Sequence, residues 1–403
     1  MSRMLANWLD SYVEYTKETE PPASYHLWVG TSIIAGALQR RVVLDWGFER
    51  IYPNMYIILV GPSGRARKGV ALGIGKDLLK DVGVSLTAEA PTRESLIRRM
   101  KDKTITFTTP TGRIVFHCSM TCFSEELSVF LGQNDIRFLS NLTDWYDSKD
   151  DWTYDTKNQG IDHLQGLCFN LLGATAPDWF QSILPTEAIG GGFTSRIIFV
   201  VEERKGKTVP EDITPPKKLR DALVHDLERM TTLSGQFSFD PTARRMYTDW
   251  YSAEDEKLNR GILPVKDNRL SAYCERRATH LRKLMMVLSI ARDDELVITA
   301  DDVTRAAKQL VAAEANMHKT FSGFGSSPIS GSTDRIITYI KNLGEVPRSV
   351  LMRTFYRDID ADTLDNIERT LHAMNRISIQ NLSSGEKLYK WITDADAAED
   401  LSE

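Results

Sequence analysis

The chain has 403 residues, 42% of them hydrophobic and 26% charged, with a formal net charge of -5. That length accommodates two or three domains and a sizeable core. The acid excess excludes a generally basic nucleic-acid coat, although it leaves room for a local basic channel. Cys118, Cys122, Cys168 and Cys274 form neither a paired framework nor a zinc spacing, so reduced, buried thiols are expected. No apolar run reaches membrane-spanning length and Met1 to Asp10 does not read as a secretory leader. A cytoplasmic protein with no membrane partner is therefore expected.

In chain order, residues 1–50 read as an N-terminal helical layer. Trp8, Tyr12 and Tyr15 recur at helical spacing, Pro21-Pro22 breaks the pattern, and a second helix runs from Tyr25 to Leu38. Residues 51–210 read as an α/β core with a mainly parallel sheet. Met55 to Val60 is a continuous apolar run of the kind a strand buried on both faces needs. Further runs occur at Ile114 to Phe116, Met120 to Phe123, Leu167 to Leu172 and Arg196 to Val201, with helical stretches such as Arg93 to Lys101 between them. Residues 211–325 read as a helical lid region, in which Thr299 or Asp301 caps a helix reaching Phe321. A Gly/Ser linker is expected over 326–333. Residues 334–393 suggest three helices followed by a hairpin around Ser383-Ser384-Gly385, the winged-helix arrangement. An acidic tail, 394–403, closes the chain.

The chemistry centres on Gly61-Pro-Ser-Gly-Arg-Ala-Arg-Lys-Gly69, which follows a buried strand and precedes a helix. In that context backbone N–H groups and the helix N-terminus bind phosphate oxygens, and a lysine reaches the outer phosphates. Gly61, Ser63, Gly64, Arg67, Lys68 and Gly69 are the expected nucleotide contacts. The match to G-x-x-x-x-G-K-[ST] is imperfect: counting back from Lys68 puts Arg67 at the glycine position and Gly69 at the hydroxyl position. An ordinary glycine-rich turn with solvated Arg65, Arg67 and Lys68 is the alternative.

Met120 to Glu126 is an apolar strand ending in two acids. Such a pair suits a magnesium ligand and the base that polarises an attacking water, here Glu125 and Glu126 respectively. A solvated acidic helix start is the alternative. Asn170 to Pro177 ends another buried strand, and either Asn170 or Thr175 suits contact with a γ-phosphate or its water. Arg196 follows Gly190-Gly-Gly and opens a strand, so it suits an arginine finger reaching a phosphate in its own or a neighbouring subunit. An arginine tied to a carboxylate is the alternative. Arg276, His280 and Lys283 share one helical face, which either closes over the nucleotide or is solvated and paired.

Taken together, Tyr52-Pro-Asn54, the Gly-Pro-Ser-Gly and Arg-Lys-Gly segments, Phe123 to Leu131, and Gly192-Phe-Thr-Ser-Arg196 resemble the DUF3987-type phage and plasmid replication ATPases, which are helicase-like and primase-associated. The resemblance covers roughly residues 1–325. It implies a RecA-like or AAA-like P-loop core, ATP and Mg2+ as cofactors, and a ring, expected to be a hexamer, on single-stranded DNA in a bacterial or phage-infected cell. It further implies a primase on another chain, and points to Lys68, Glu125, Glu126 and Arg196. The resulting expectation is an ATP-driven helicase or translocase. A nucleotide-gated loader that hydrolyses slowly or not at all is the second reading, and a DNA-binding regulator with a degenerate core the third. In the winged-helix segment, Asp362, Asp365 and Glu368 make the third helix a poor basic recognition helix and favour protein contact.

Overall fold

The computed structural model describes residues 2–132, 135–157, 160–177, 184, 190–212, 214–321, 330–374, 376–383 and 385–392. The chain divides into two compact units, 1–322 and 323–403. The first is a mixed α/β unit around a five-stranded sheet. Its strands lie in the order Ile105–Thr108, Ile114–Ser124, Leu167–Thr175, Tyr56–Val60, Ile197–Val201. The last four are mutually parallel; only Ile105–Thr108 runs antiparallel, against the start of Ile114–Ser124. Every residue of Tyr56–Val60, Leu167–Thr175 and Ile197–Val201 is buried, as unbroken apolar runs require in a sheet covered on both faces. The two short runs read at Ile114 and Met120 are one 11-residue strand. In its polar middle Nδ1 of the buried His117 ring is satisfied within the strand by Ser119 Oγ at 2.8 Å.

Alternation along the strands assigns the two faces. Thr121 and Asn170 face the Ala23–Leu38 helix, where a Cβ on Gly36 would meet them at 2.8 and 3.5 Å. The Lys68–Asp81 helix lies on the same side, with Gly75 close against Val29 and Ile33. Phe169 and Gly173 point to the opposite face, against Phe130, Trp145 and Leu127. The crossover after Tyr56–Val60 thus covers one face and the crossover after Ile114–Ser124 the other. Such a reversal opens a crevice at the carboxyl ends of the strands, where α/β sheets bind ligands.

Around this core, Trp8–Thr16 and Ala23–Leu38 form the expected helical pair. The rest of the 1–50 layer is not helical. Val42–Trp46 pairs with Glu49–Ile51 and with Gly235–Gln236, because β-branched Val42 and Val43 and the Gly47 turn favour extended chain. In the lid region, Thr299 caps Ala300–Met317 through a reciprocal capping box with Asp302. No helix among the described residues is long and apolar enough to cross a membrane.

The second unit holds three helices, Ser330–Leu343, Arg348–Phe355 and Ala361–Ala373, and a three-stranded sheet. In that sheet Lys387–Trp391 lies between Glu345–Pro347 and Ile377–Asn381. Ile336, Ile340, Leu351, Leu364, Ile367, Leu371 and Tyr389 form its core. Helix replaces the last four residues of the expected linker. Residues 326–329 of that linker and the acidic tail 394–403 lie outside the described residues.

Candidate nucleotide site

Gly61 follows the Tyr56–Val60 strand at a point that has no room for a side chain. A Cβ there would lie 2.5 Å from the Glu202 carbonyl oxygen and 2.7 Å from the Tyr25 hydroxyl. Its N–H donates to Thr175 O at 3.2 Å, tying the loop to the neighbouring strand. Ser63, Gly64 and Arg65 form an exposed crest with Gly64 left-handed at φ 71°, and Ala66 folds beneath it, fully buried. Arg67 is also left-handed, at φ 54° and ψ 35°, a conformation that costs a non-glycine residue about 1 kcal/mol or more. Its guanidinium is clasped by Glu20 at 2.6 Å, and Glu20 also receives Lys205. The Lys205 hydrogen bond first, with Arg67 adding to it, pushes the Glu20 carboxyl down to about 2.

Lys68 opens the helix Lys68–Asp81, whose N-terminus has no side-chain cap and no acid in its first turn. Its positive end is therefore free to meet an anion. The Lys68 ammonium donates to the carbonyls of Gly61 and Pro62. Burial lowers its pKa, while the charge of Glu126 acts in the opposite sense. Gly69, next along, faces the acid pair: a Cβ there would lie 3.2 Å from Glu125 Oε2. Glu125 and Glu126 are exposed just beyond the end of Ile114–Ser124. Glu126 also stands at the N-cap of the short helix Leu127–Leu131, with its carboxylate accepting from Ser128 Oγ at 3.1 Å.

Thr175 ends its strand opposite Val60 and is buried, with its hydroxyl donating to Ala176 O. Asn170, the alternative to Thr175, is spent on the fold. It sits mid-strand, its amide donates to Ser32 O and Oγ, and its oxygen accepts the Met55 N–H at 2.9 Å. Both amide protons are committed, and mid-strand the residue lies away from the loop's edge.

Arg196 stands just before its strand, as expected, but at the edge away from the loop of its own chain. The strand it precedes, Ile197–Val201, is parallel to Tyr56–Val60 in direct register, so its start lies at the edge opposite the loop. Five residues of strand put roughly 16 Å between the two edges. Arg196 is only 7% exposed, pairs with Asp147 at 2.7 Å and donates to Gly192 O. It is thus the carboxylate-tied arginine, and its guanidinium does not reach the Gly61 to Gly69 loop of its own chain. The helical face of Arg276, His280 and Lys283 gathers at the same far edge. Arg276 stands 3.7 Å from Asp147, and His280 bonds Ser195 O and Tyr146 OH. Lys283 is buried, bonds Tyr52 O and Asn54 Oδ1, and is pushed down to about 7 by burial. None of the three closes over the loop.

The carboxyl edge therefore gathers the Gly61 to Gly69 loop, Glu125, Glu126 and Thr175. The clasp of Glu20 on Arg67 and Lys205 has no local signal in the sequence, since its partners are far apart in the chain. Among the described residues no group of three or more His, Cys, Asp or Glu could hold a metal ion. A magnesium ion bound with a nucleotide needs no such cage, because phosphates and water supply most of its ligands. The residues present fit that case: an uncapped helix end, an ammonium beside it, and a carboxylate facing a glycine that leaves space. No family model matches this chain, and no curated protein matches it.

Proposed function

We propose that this chain is an ATP-driven motor of phage or plasmid DNA replication, a ring-forming helicase or translocase with a P-loop-type core. The observation that carries the nucleotide reading is the approach of Glu125 to Gly69, in the first turn of the helix that Lys68 opens. Lys68 and the helix N-terminus bind the phosphates, Glu125 holds the magnesium ion, and Glu126 takes the proton of the attacking water while Thr175 orients that water. Magnesium-bound ATP supplies the phosphoanhydride whose cleavage drives movement. The DNA substrate, the hexameric ring and a primase on another chain are drawn from the family resemblance.

The test is ATP turnover and ATP binding with and without single-stranded DNA, in the wild type and in Lys68→Ala. Loss of both activities in a folded Lys68→Ala protein supports the reading. Unchanged affinity and turnover remove Lys68 from the site and the reading with it.

Gly69 supports a second reading, a nucleotide-gated loader that hydrolyses slowly. With no hydroxyl beside Lys68, the metal has one protein oxygen fewer on the helix side. Tight, magnesium-dependent binding with no DNA-stimulated turnover is the result that selects it.

A further inference from the structure

At the edge of the sheet opposite the phosphate loop lies a cleft of about 660 Å³. Its walls come from the end of the Ala23–Leu38 helix, the Val42–Trp46 strand, and the antiparallel pair Ile105–Thr108 and Ile114–Ser124 with their Thr109–Arg113 turn. Ten residues of strand separate Ile114 from Ser124, roughly 33 Å, so the cleft is remote from Lys68.

The charges of the wall are unequally spent. Asp150 is held between Arg40 and Arg50, and Asp151 pairs with His163. Arg41 is different. Its guanidinium lies 5.3 Å from the centre of the Phe107 ring and, among the described residues, meets no hydrogen-bond or carboxylate partner. Its Nε is fully buried, and burial lowers its pKa. Arg113, exposed on the turn, likewise has no side-chain partner among the described residues. Asp45 alone of the wall's acids opposes these two cations without an ion pair of its own. A half-buried arginine over an aromatic ring, with a second arginine beyond it, leaves guanidinium donors that an anion entering the cleft can meet. The cavity exceeds what one inorganic anion fills, and it combines guanidinium donors with an aromatic face, the combination that holds phosphodiesters and stacked bases.

We propose that this cleft binds a segment of single-stranded nucleic acid. Its phosphodiesters lie on Arg41 and Arg113, and a base lies against the Phe107 side of the wall. The proposal gives the replication reading its strand-binding surface and rests on that reading for the choice of a polymer over a free nucleotide.

The test is fluorescence anisotropy with a labelled oligothymidylate on the full chain. A fluorescent ATP analogue is titrated in parallel. Arg41→Gln with Arg113→Glu should weaken oligonucleotide binding at least tenfold and flatten its salt dependence by about one to two released counterions. Phe107→Ala should weaken it several-fold with the salt slope unchanged. Arg113→Glu alone, at an exposed turn, keeps the test valid should a change at Arg41 disturb folding. Wild-type-like oligonucleotide binding in folded variants overturns the assignment, and so does a wild type that binds no oligonucleotide. Displacement by thymidine monophosphate as efficient, per phosphate, as by the oligonucleotide also overturns it. The ATP analogue separates the two readings. Analogue binding without cleft-dependent DNA binding sinks the cleft alone, and cleft-dependent DNA binding without analogue binding sinks the nucleotide site alone.

Discussion

The α-carbon of Gly69 faces the carboxylate of Glu125 so closely that a methyl group on it would lie 3.2 Å from Oε2. The two residues come from different elements, and the space between them is where a helix-borne hydroxyl would otherwise stand. Gly69→Ala fills that space. Alanine in a helix is favoured over glycine by up to about 1 kcal/mol, and exposed Glu125 can yield by a few tenths of an ångström. Thermal stability should therefore hold or rise while magnesium-dependent turnover falls roughly tenfold or more through displacement of the carboxylate. Gly69→Ser, which returns an oxygen to the space, should keep more activity than Gly69→Ala. Equal activity in wild type and Gly69→Ala would remove the pair from the site.

Glu125 and Glu126 should separate kinetically. Glu126→Gln is expected to retain ATP affinity and lose most turnover, on the order of a hundredfold or more. Glu125→Gln should raise the magnesium concentration needed for half-maximal activity. Steady-state turnover across a magnesium titration distinguishes them, and an exchange of the two phenotypes exchanges the assignments.

Arg196→Ala should act on stability. Removing it takes the 2.7 Å partner from Asp147, an exposed carboxylate that keeps Arg276 at 3.7 Å, and takes one of two donors from Gly192 O, which keeps Ser195 Oγ; the packing of the buried arginine stem is lost as well. The loss should be about 1–2 kcal/mol in denaturant unfolding. ATP affinity per folded molecule should be unchanged. A fully stable variant with abolished turnover would assign Arg196 the role of a finger acting on a neighbouring subunit.

Acid should unfold the first unit steeply. Burial pushes His26 down to about 4, and His117 and His280 down to about 3, all from an ordinary value of 6.5. In His280, Nε2 faces the Ser195 carbonyl, which only accepts, so Nε2 carries the proton and Nδ1 accepts from Tyr146. A second proton has no place to bond. The three rings are neutral in the folded chain and protonate on unfolding between about pH 4 and 6.5. Their contribution is intact above 6.5 and is lost as pH falls toward the folded values. With three extra protons bound by the unfolded chain, stability should change by roughly 4 kcal/mol per pH unit near pH 5. Lys283, at about 7 against an ordinary 10.5, adds a further rise from pH 7 upward. Melting temperature against pH checks both windows, and a flat profile from pH 4 to 6.5 contradicts the first.

Asn170→Ala should cost about 2–4 kcal/mol by orphaning the Met55 N–H and the groups of Ser32. ATP binding by the folded fraction should be unaltered. Chemical denaturation and analogue binding on the same sample decide it.

The sequence announced the loop-bearing strand because Met55 to Val60 is apolar without interruption and sits between Pro53 and Gly61. The closeness of Glu125 to Gly69 was not legible, since it depends on two strands separated by a third. Arg196 was legible in principle. In a parallel sheet every strand starts at the edge opposite the loop, so a residue that opens a strand cannot share the loop's edge. The Arg276, His280 and Lys283 stripe misled because a basic periodicity is the same for a solvated face as for one buried against Tyr146 and Asn54. The hairpin at Val42–Trp46 was missed because short strands lack a periodic signal.

The position of Tyr56–Val60, hydrogen-bonded to the strand containing Leu171 on one side and to the one starting at Ile197 on the other, imposes an order in time on the chain's birth. When the loop strand leaves the ribosome, both of its neighbours are still unmade. At ordinary synthesis rates it waits on the order of ten seconds with both backbone edges open. During that interval an entirely apolar strand is a template for any other extended chain nearby. A nascent chain that stops before Val201 cannot close the sheet on its second side, so such fragments should be captured by chaperones or lost to aggregation. The loop after Val60 is thus encoded early and completed late.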